Sequence, residues 1–482
     1  MSSPAEPMPH NINNDNTTKE ETDDDDEEEN EISTPAGPIE KLYVQCSTQK
    51  FDIPFLTCLL LLESILCAAI IKYISYTEID WEAYMSEVTM YEEGERNYIH
   101  IRGGTGPLVY PAGFLYLYSA LKYVAGGDGS DIVMAQILFG VLYVANIGVV
   151  LSLYMIVGRR MVDSVDEILT DAPVRMTSNE RSHRLVVSHV VWTWRVAMCI
   201  CCLSKRIHSI FVLRLFNDAP AMFLCYLSMV FFVSNKWRIG CLFYSLGVSI
   251  KMNVLLFAPG LLLLLLQSSD NLVETIICLG ICAVVQLILG APFLLTFPVS
   301  YLRKAFELDR VFFYEWTVNW KFLPEDIFVS KPLSIGLLLC HIGFLVLFAI
   351  KWLRSAKDQT GSYLFLCNNP TNTSTRNKNQ LTPEYIIQTM FLSNFIGIVF
   401  ARTLHYQFYS WYFYSVPFML MFTLMKRHTK LMVVIMIEFA FNTFPAMAKS
   451  SAVLQMAHVT LLSGVLLAGV PQILYVKSMK QD

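Results

Sequence analysis

From Ile53 to Ile71 the chain carries one charge, Glu63, among side chains that are otherwise aliphatic, aromatic or small. A run of this kind matches the roughly 20 apolar residues that cross the hydrocarbon core of a bilayer. Comparable runs recur at 131–157, 190–213, 219–235, 237–250, 253–267, 272–296, 333–353, 384–401, 410–425, 431–447 and 452–475. In hydrocarbon each backbone polar group must be satisfied inside its own segment, so these runs read as helices. The expected fold class is an all-α polytopic membrane protein with about 12 transmembrane helices, whose longer loops carry interfacial amphipathic helices.

Composition agrees. Of the 482 residues 54% are hydrophobic and 16% charged, whereas soluble domains hold about 25% charged residues. The net charge of −5 is misleading, because the first forty residues hold a dense acidic stretch that includes the run Asp23 to Glu29. That stretch has almost no aliphatic content, and residues 1–45 are expected to be a disordered acidic cytosolic tail. It lacks the layout of a cleavable signal, so the first apolar run serves as a retained anchor. Residues 46–476 then form one multispanning domain, and 477–482 a second short tail. The 12 Cys show no metal-ligand spacing and read as small buried hydrophobes. No nucleic-acid partner is expected; membrane lipid is.

Sidedness follows from one segment. GPLVYPAGFLYLYSALKY (107–124) is short, rich in Tyr and broken by Pro and Gly, features of a segment lying against the membrane surface. If it does not cross, Arg159, Arg160, Arg175, Arg181 and Arg184 share a side with the N-terminus. Lys236, Arg238, Lys351, Arg354, Lys357, Lys426, Arg427 and Lys430 join them. That is the positive-inside pattern, and it places both termini in the cytosol. The opposite side receives two long segments, about 72–130 and 297–331, and the turns near 214–218, 250–253 and 402–409.

The chemistry is sought there. Asp80, Tyr84, Glu87 and Tyr91 follow helical spacing and share a face. Asp80 and Glu87 then stand about 10 Å apart along the axis, too far for the close carboxylate pair of a retaining glycosidase at about 5 Å. One carboxylate acting as base remains; a solvated cap on a surface helix is the alternative. Arg214, Asn217 and Asp218 fall within about one turn before Pro220, as a site wall or an interfacial anchor. Lys251 interrupts an apolar run, which marks either a functional cation or a snorkelling one. Arg402 and His405 sit beside a dense group of aromatics in RTLHYQFYSWYFY, a composition suited to a phosphate and sugar rings. The second loop mixes Arg310, Trp316, Asn319, Trp320 and Lys321. No credible P-loop, HExxH or Rossmann pattern appears, and no metal is expected.

These strings carry a resemblance. TEIDWEAYM, TGPLVYPAGF, RIHSIFVLRLFNDA, SIKMNVLLFAPG, VNWKFLPE and SNFIGIVFARTLHYQFYSWYF resemble the dolichyl-phosphate-mannose-dependent α-1,3-mannosyltransferases of the N-glycan pathway, from about residue 76 to about 450. The resemblance implies a multispanning C-type glycosyltransferase of the endoplasmic reticulum membrane with its active site in the lumen. It implies dolichyl-phosphate mannose as donor and the five-mannose oligosaccharide on dolichyl pyrophosphate as acceptor, with no cofactor. Asp80 matches the acidic position of the first luminal loop, which makes it the expected general base. His405, Arg402, Arg214 and Lys251 are expected to hold the donor phosphate. Glu87, Tyr84, Asn319 and Trp320 are expected either at the acceptor or behind the residues that touch it, with Asn217 and Asp218 as further candidates. The pattern departs at Gly104, where some relatives carry Asp. The rival class, a transporter, would show halves related by repeat, and no internal repeat is present.

Overall fold

The computed structural model describes residues 37–170, 180–268, 272–307, 313–360 and 380–473. The acidic run, Arg175, Arg310 and the C-terminal tail lie outside them. The described chain begins with the helix Pro38–Cys46, inside the stretch expected to be a disordered tail. From there on it is helical, apart from one two-stranded hairpin, Arg102–Gly103 against Gly106–Pro107.

Among the described residues six helices are long and apolar enough to cross a membrane: Gln49–Tyr73, Ile132–Thr170, Glu180–Cys201, Leu272–Leu294, Lys331–Gln359 and Ala448–Leu467. Two of them, Leu272–Leu294 and Lys331–Gln359, bury little of their surface and present apolar side chains outward, as helices facing lipid do. Pro383–Val399 is the opposite case: each of its residues is buried. It is the centre of the bundle. The surface segment expected at 107–124 contains the helix Ala112–Val124 of 13 residues, about 20 Å long and short of a full crossing.

Several expected spans are interrupted, and the interruptions have chemical causes. The run 190–213 stops at Cys201, and the chain restarts as Lys205–His208, followed by a π-helical turn Ser209–Leu213. Lys205 and Arg206 cannot continue a lipid-facing helix without a partner. The restarted segment meets Asp218–Val233 at a bend of 112°. Pro220 falls in the first turn of that helix, where a missing N–H costs nothing. The run 253–267 opens as a 3₁₀ stretch, Met252–Phe257, before Ala258–Ser268. The run 410–425 contains only a 3₁₀ stretch, Tyr406–Trp411, and a seven-residue helix, Ser415–Met421.

Two carboxylates, the buried Glu63 and the half-buried Glu438, hold the break at 202–204 in place. Glu63, from the first long helix, accepts from Tyr143 Oη and pairs with His208 Nε2, each at 2.7 Å. Glu438 accepts from Ser204 Oγ at 3.0 and 3.1 Å and from Tyr409 Oη at 2.7 Å. Ser204 also caps the restarted helix by accepting from Ile207 N. The two carboxylates thereby connect five separate elements around one turn. At another end of the helices, Asp52 pairs with Arg159 and Arg195, each at 2.9 Å, and Glu384 with Arg160 at 2.8 Å.

Breaking a buried ionic contact on one side strands the other partner and costs about 3–5 kcal/mol. Glu63→Ala is therefore expected to lower the melting temperature of the purified protein far more than Ser64→Ala, an exposed neighbour on the same helix. Equal melting of the two variants in detergent would contradict this account of the break.

Candidate functional site

The first long loop is built around the helix Trp81–Glu92. Trp81 Nε1 donates to Gly129 O at 2.9 Å, and Lys122 Nζ bonds Thr89 Oγ1 and Glu92 Oε2, each at 2.7 Å. These contacts fix the helix against Ala112–Val124. Thr77 N donates to Leu213 O at 3.1 Å, so the loop starts beside the π-helical turn. Asp80 occupies the N-cap position but makes no side-chain cap bond. Its carboxylate Oδ2 accepts instead from Tyr84 Oη at 3.3 Å.

Lys251 reaches the same place from another direction. The helix Trp237–Ile250 ends at Lys251 in an extended conformation, φ −152° and ψ 126°. The helix Ala112–Val124 packs on that end so closely that a Cβ at Gly113 would stand 2.1 Å from Ser249 Oγ. Only a glycine admits this approach. Lys251 Nζ donates to Asp218 Oδ2 at 2.7 Å and to Asn217 Oδ1 at 2.9 Å. All three residues are buried, Asn217 and Asp218 completely. The ammonium also lies 5.5 to 5.9 Å from the ring centres of Tyr110, Phe408 and Trp411, within cation–π range.

The remaining links run outward on both sides. Tyr84 Oη stands 3.5 Å from Asn217 Oδ1 as well as beside Asp80, so one hydroxyl bridges the two groups. Asp218 Oδ1 accepts from Trp411 Nε1. Trp411 stacks on Phe408 at 3.8 Å between ring centres, and Phe408 on His405 at 5.3 Å. Asp80 and His405, far apart in sequence, are thus ends of one continuous string: Asp80, Tyr84, Asn217, Lys251, Asp218, Trp411, Phe408, His405. The electrostatics of Asp80 follow from its neighbours. Burial raises its pKa above the ordinary carboxylate value, opposed by the Lys251 charge and the Tyr84 hydrogen bond, with Asp218 and Glu78 adding to the rise.

The other expected residues occupy distinct places. Glu87 is buried about one turn beyond Tyr84 on the same helix. Arg214 is half-buried beside the start of the first loop and donates to Ser209 Oγ. Burial and the charge of Arg206 both lower its pKa. Arg206 donates through Nε to Phe441 O at 2.9 Å and lies 4.9 Å over the Tyr406 ring. Among the described residues neither guanidinium has a carboxylate at ion-pair distance. Arg402 donates to Val329 O at 3.1 Å, outside the string that leads to Asp80.

Asn319 and Trp320 serve the backbone. Asn319 Nδ2 and Trp320 Nε1 both donate to Ala401 O at 2.8 Å, and Asn319 Oδ1 accepts from Leu404 N at 2.7 Å. Val318 N donates to Leu404 O at 2.7 Å. The second loop is thereby fastened along 401–404, the stretch that delivers His405. Trp320 adopts a φ of +58° to reach this position. A Cβ at Gly104 would meet nothing within 4 Å, so this position opens onto free space and has no packing role.

Sequence reasoning missed four contributors: Trp411, Phe408, Tyr110 and Arg206. The first three are aromatics inside aromatic-rich strings, with no local signal to separate a cation-facing ring from a core ring. Arg206 carried a signal, a charge inside an apolar stretch, but its position depends on the helix break.

The sequence matches the family described as ALG3 protein over residues 57–170 and 183–451. It is 45% identical to an Arabidopsis thaliana protein over 427 residues, covering 87% of this chain and 89% of the relative. It is 41% identical to a Homo sapiens protein, with 86% of each chain covered, and 40% identical to one from Mus musculus, with 88% and 89% covered. All three relatives bear the name Dol-P-Man:Man(5)GlcNAc(2)-PP-Dol alpha-1,3-mannosyltransferase. By the extent of these matches the chain belongs to the ALG3 protein family.

Proposed function

We propose that this protein is a membrane-embedded glycosyltransferase that moves mannose from dolichyl-phosphate mannose, in α-1,3 linkage, onto the five-mannose oligosaccharide carried by dolichyl pyrophosphate. The reading rests on the family and on the single string of contacts that joins Asp80 to His405 through Lys251. We place the enzyme in the endoplasmic reticulum membrane, with both termini cytosolic and Asp80 on the luminal face. About twelve crossings are proposed, counting beside the six long helices Asp218–Val233, Trp237–Ile250, Met252–Ser268, Pro383–Val399, Ser415–Met421 and Arg427–Asn442 as full or partial spans.

The chemistry assigned to the residues balances in one step. Asp80, as carboxylate, accepts the proton of the acceptor hydroxyl. The oxygen forms a bond to the mannosyl anomeric carbon as the bond from that carbon to the donor phosphate oxygen breaks. The bonding pair departs with dolichyl phosphate, whose charge grows in the transition state. Cationic donors that meet this growing charge lower the barrier. His405 and Arg214 are assigned to it, joined by Arg206, whose guanidinium has no carboxylate at ion-pair distance among the described residues. Lys251 has a different part. Its charge is already matched by Asp218, so it tunes Asp80 and fixes Asn217. The phosphate is a competent leaving group, and no cofactor is assigned. Arg402, through Val329, supports the second loop.

Tyr84 is given the task of orienting Asp80. A base held by burial in a raised-pKa state needs its lone pair aimed at one hydroxyl, and the Tyr84 hydrogen bond supplies that aim. Asn319 and Trp320 position His405 by fastening 401–404. Glu87 stays at the inner wall of the first loop.

Two measurements test this. Mannosyl transfer from dolichyl-phosphate mannose by purified Asp80→Asn protein should fall by about 10²–10⁴ with the melting temperature retained; near-normal turnover would remove Asp80 as base. In Tyr84→Phe the hydrogen bond that lowers the Asp80 pKa is gone, so that pKa rises further. The carboxylate is then protonated at higher pH than in the parent enzyme. The acid limb of the pH–rate profile is expected to move toward higher pH, and a shift toward lower pH would contradict the assignment.

A further inference from the structure

Next to the His405 end of the catalytic string, an aromatic row extends to exposed positions. Tyr406 follows His405 directly, and its ring meets Phe444 edge-on at 5.6 Å. Phe444 in turn lies nearly parallel to Trp316, with ring centres 6.4 Å apart and 16° between planes. Trp316 is 42% exposed and Phe444 65% exposed. Neither sits in a membrane-spanning helix. Trp316 closes the 3₁₀ turn Tyr314–Trp316 in the second loop, and Phe444 lies in the break after the helix Arg427–Asn442.

Three features separate this row from a belt of interfacial aromatics. Its rings come from three separate segments of the chain: the turn Tyr314–Trp316, the stretch Tyr406–Trp411 and the residues just past Asn442. Its inner end is stiffened: Tyr406 Oη donates to Thr443 O at 2.7 Å, and Arg206 caps the Tyr406 ring. Trp316 shows no hydrogen bond from its indole N–H to any described residue. Exposed rings with a guanidinium at the inner end make an amphipathic surface. Its apolar faces suit the C–H faces of pyranose rings, and its donors suit their hydroxyls.

We propose that Trp316 and Phe444 form a docking platform for the oligosaccharide of the acceptor, holding its mannoses outside the reaction centre while the receiving sugar is led toward Asp80. Sugar is favoured over lipid as the occupant because the row is continuous with the catalytic string: Tyr406 directly follows His405 in the chain. The proposal rests on the function assigned above and deepens it. A platform of this kind adds affinity for the glycan in substrate and transition state alike, so its loss raises KM and leaves kcat in place.

The test uses full-length enzyme in nanodiscs with two acceptors on the same polyprenyl pyrophosphate. One carries the five-mannose glycan, and the other keeps the receiving sugar but lacks the outer mannoses. Trp316→Ala should raise KM for the five-mannose acceptor by about tenfold, the effect of removing one aromatic anchor. KM for the shortened acceptor and for dolichyl-phosphate mannose should hardly move, and Trp316→Tyr should restore most of the loss. An equal penalty on both acceptors would assign the row to lipid and overturn the proposal, as would an unchanged acceptor KM or a parallel rise in donor KM. Should Trp316→Ala melt early, Phe444→Leu probes the same row with less loss of volume. Failure of the functional reading itself would show separately, as absence of mannosyl transfer by the parent enzyme.

Discussion

The ammonium of Lys251 is buried among three aromatic rings and held by Asp218 at 2.7 Å. A lone charge at this depth costs several kcal/mol, and the cost is met only when a partner of opposite sign is fixed in place. Fixing that partner organises the whole site. Asp218 must stand at the start of its helix, which requires the 112° bend before it. Asn217 must share the ammonium, which sets it under Tyr84, and Tyr84 then reaches Asp80. Trp411 closes the other side of Asp218 and carries the arrangement on to Phe408 and His405. One ion pair thus orders residues from four distant stretches of sequence.

The bend that presents Asp218 has its own support deeper in the bundle. Glu63 and Glu438 grip the two ends of the short segment 204–208, one through His208 and the other through Ser204. Arg206 lies between these anchors, so its guanidinium is delivered to Tyr406 by a backbone that has little freedom. Polar groups in an apolar bundle specify register more sharply than apolar packing does, because a shifted register leaves them unpaired. The cationic residues expected to meet phosphate divide accordingly. Arg214 and Arg206 adjoin one another, His405 ends the string, and Arg402 is engaged with the second loop.

Much of the candidate site was legible residue by residue, for one reason: charges and amides are costly in an apolar chain, so each one that persists stands out. Asp80, Asn217, Asp218, Lys251, Arg402 and His405 were all visible on that ground. What could not be read was how the cations are used. Local spacing leaves Lys251 open as a functional or a snorkelling cation, and the structure pairs it with Asp218. It leaves Asn319 and Trp320 open as acceptor contacts or as support for them, and both donate to Ala401 O. A side chain's hydrogen-bond partner far along the chain leaves no trace in local spacing.

The sequence by itself determined that this chain is a helical membrane protein, because apolar runs of bilayer length admit no other backbone solution. It also marked which loops carry the polar residues. Only the tertiary structure decided that the run 190–213, which looks continuous, is broken at 202–204. That break answers to partners on other helices, Glu63 and Glu438. Hydropathy measures the cost of leaving water, which is local, while the pairing that offsets the cost of a buried charge depends on three-dimensional neighbours.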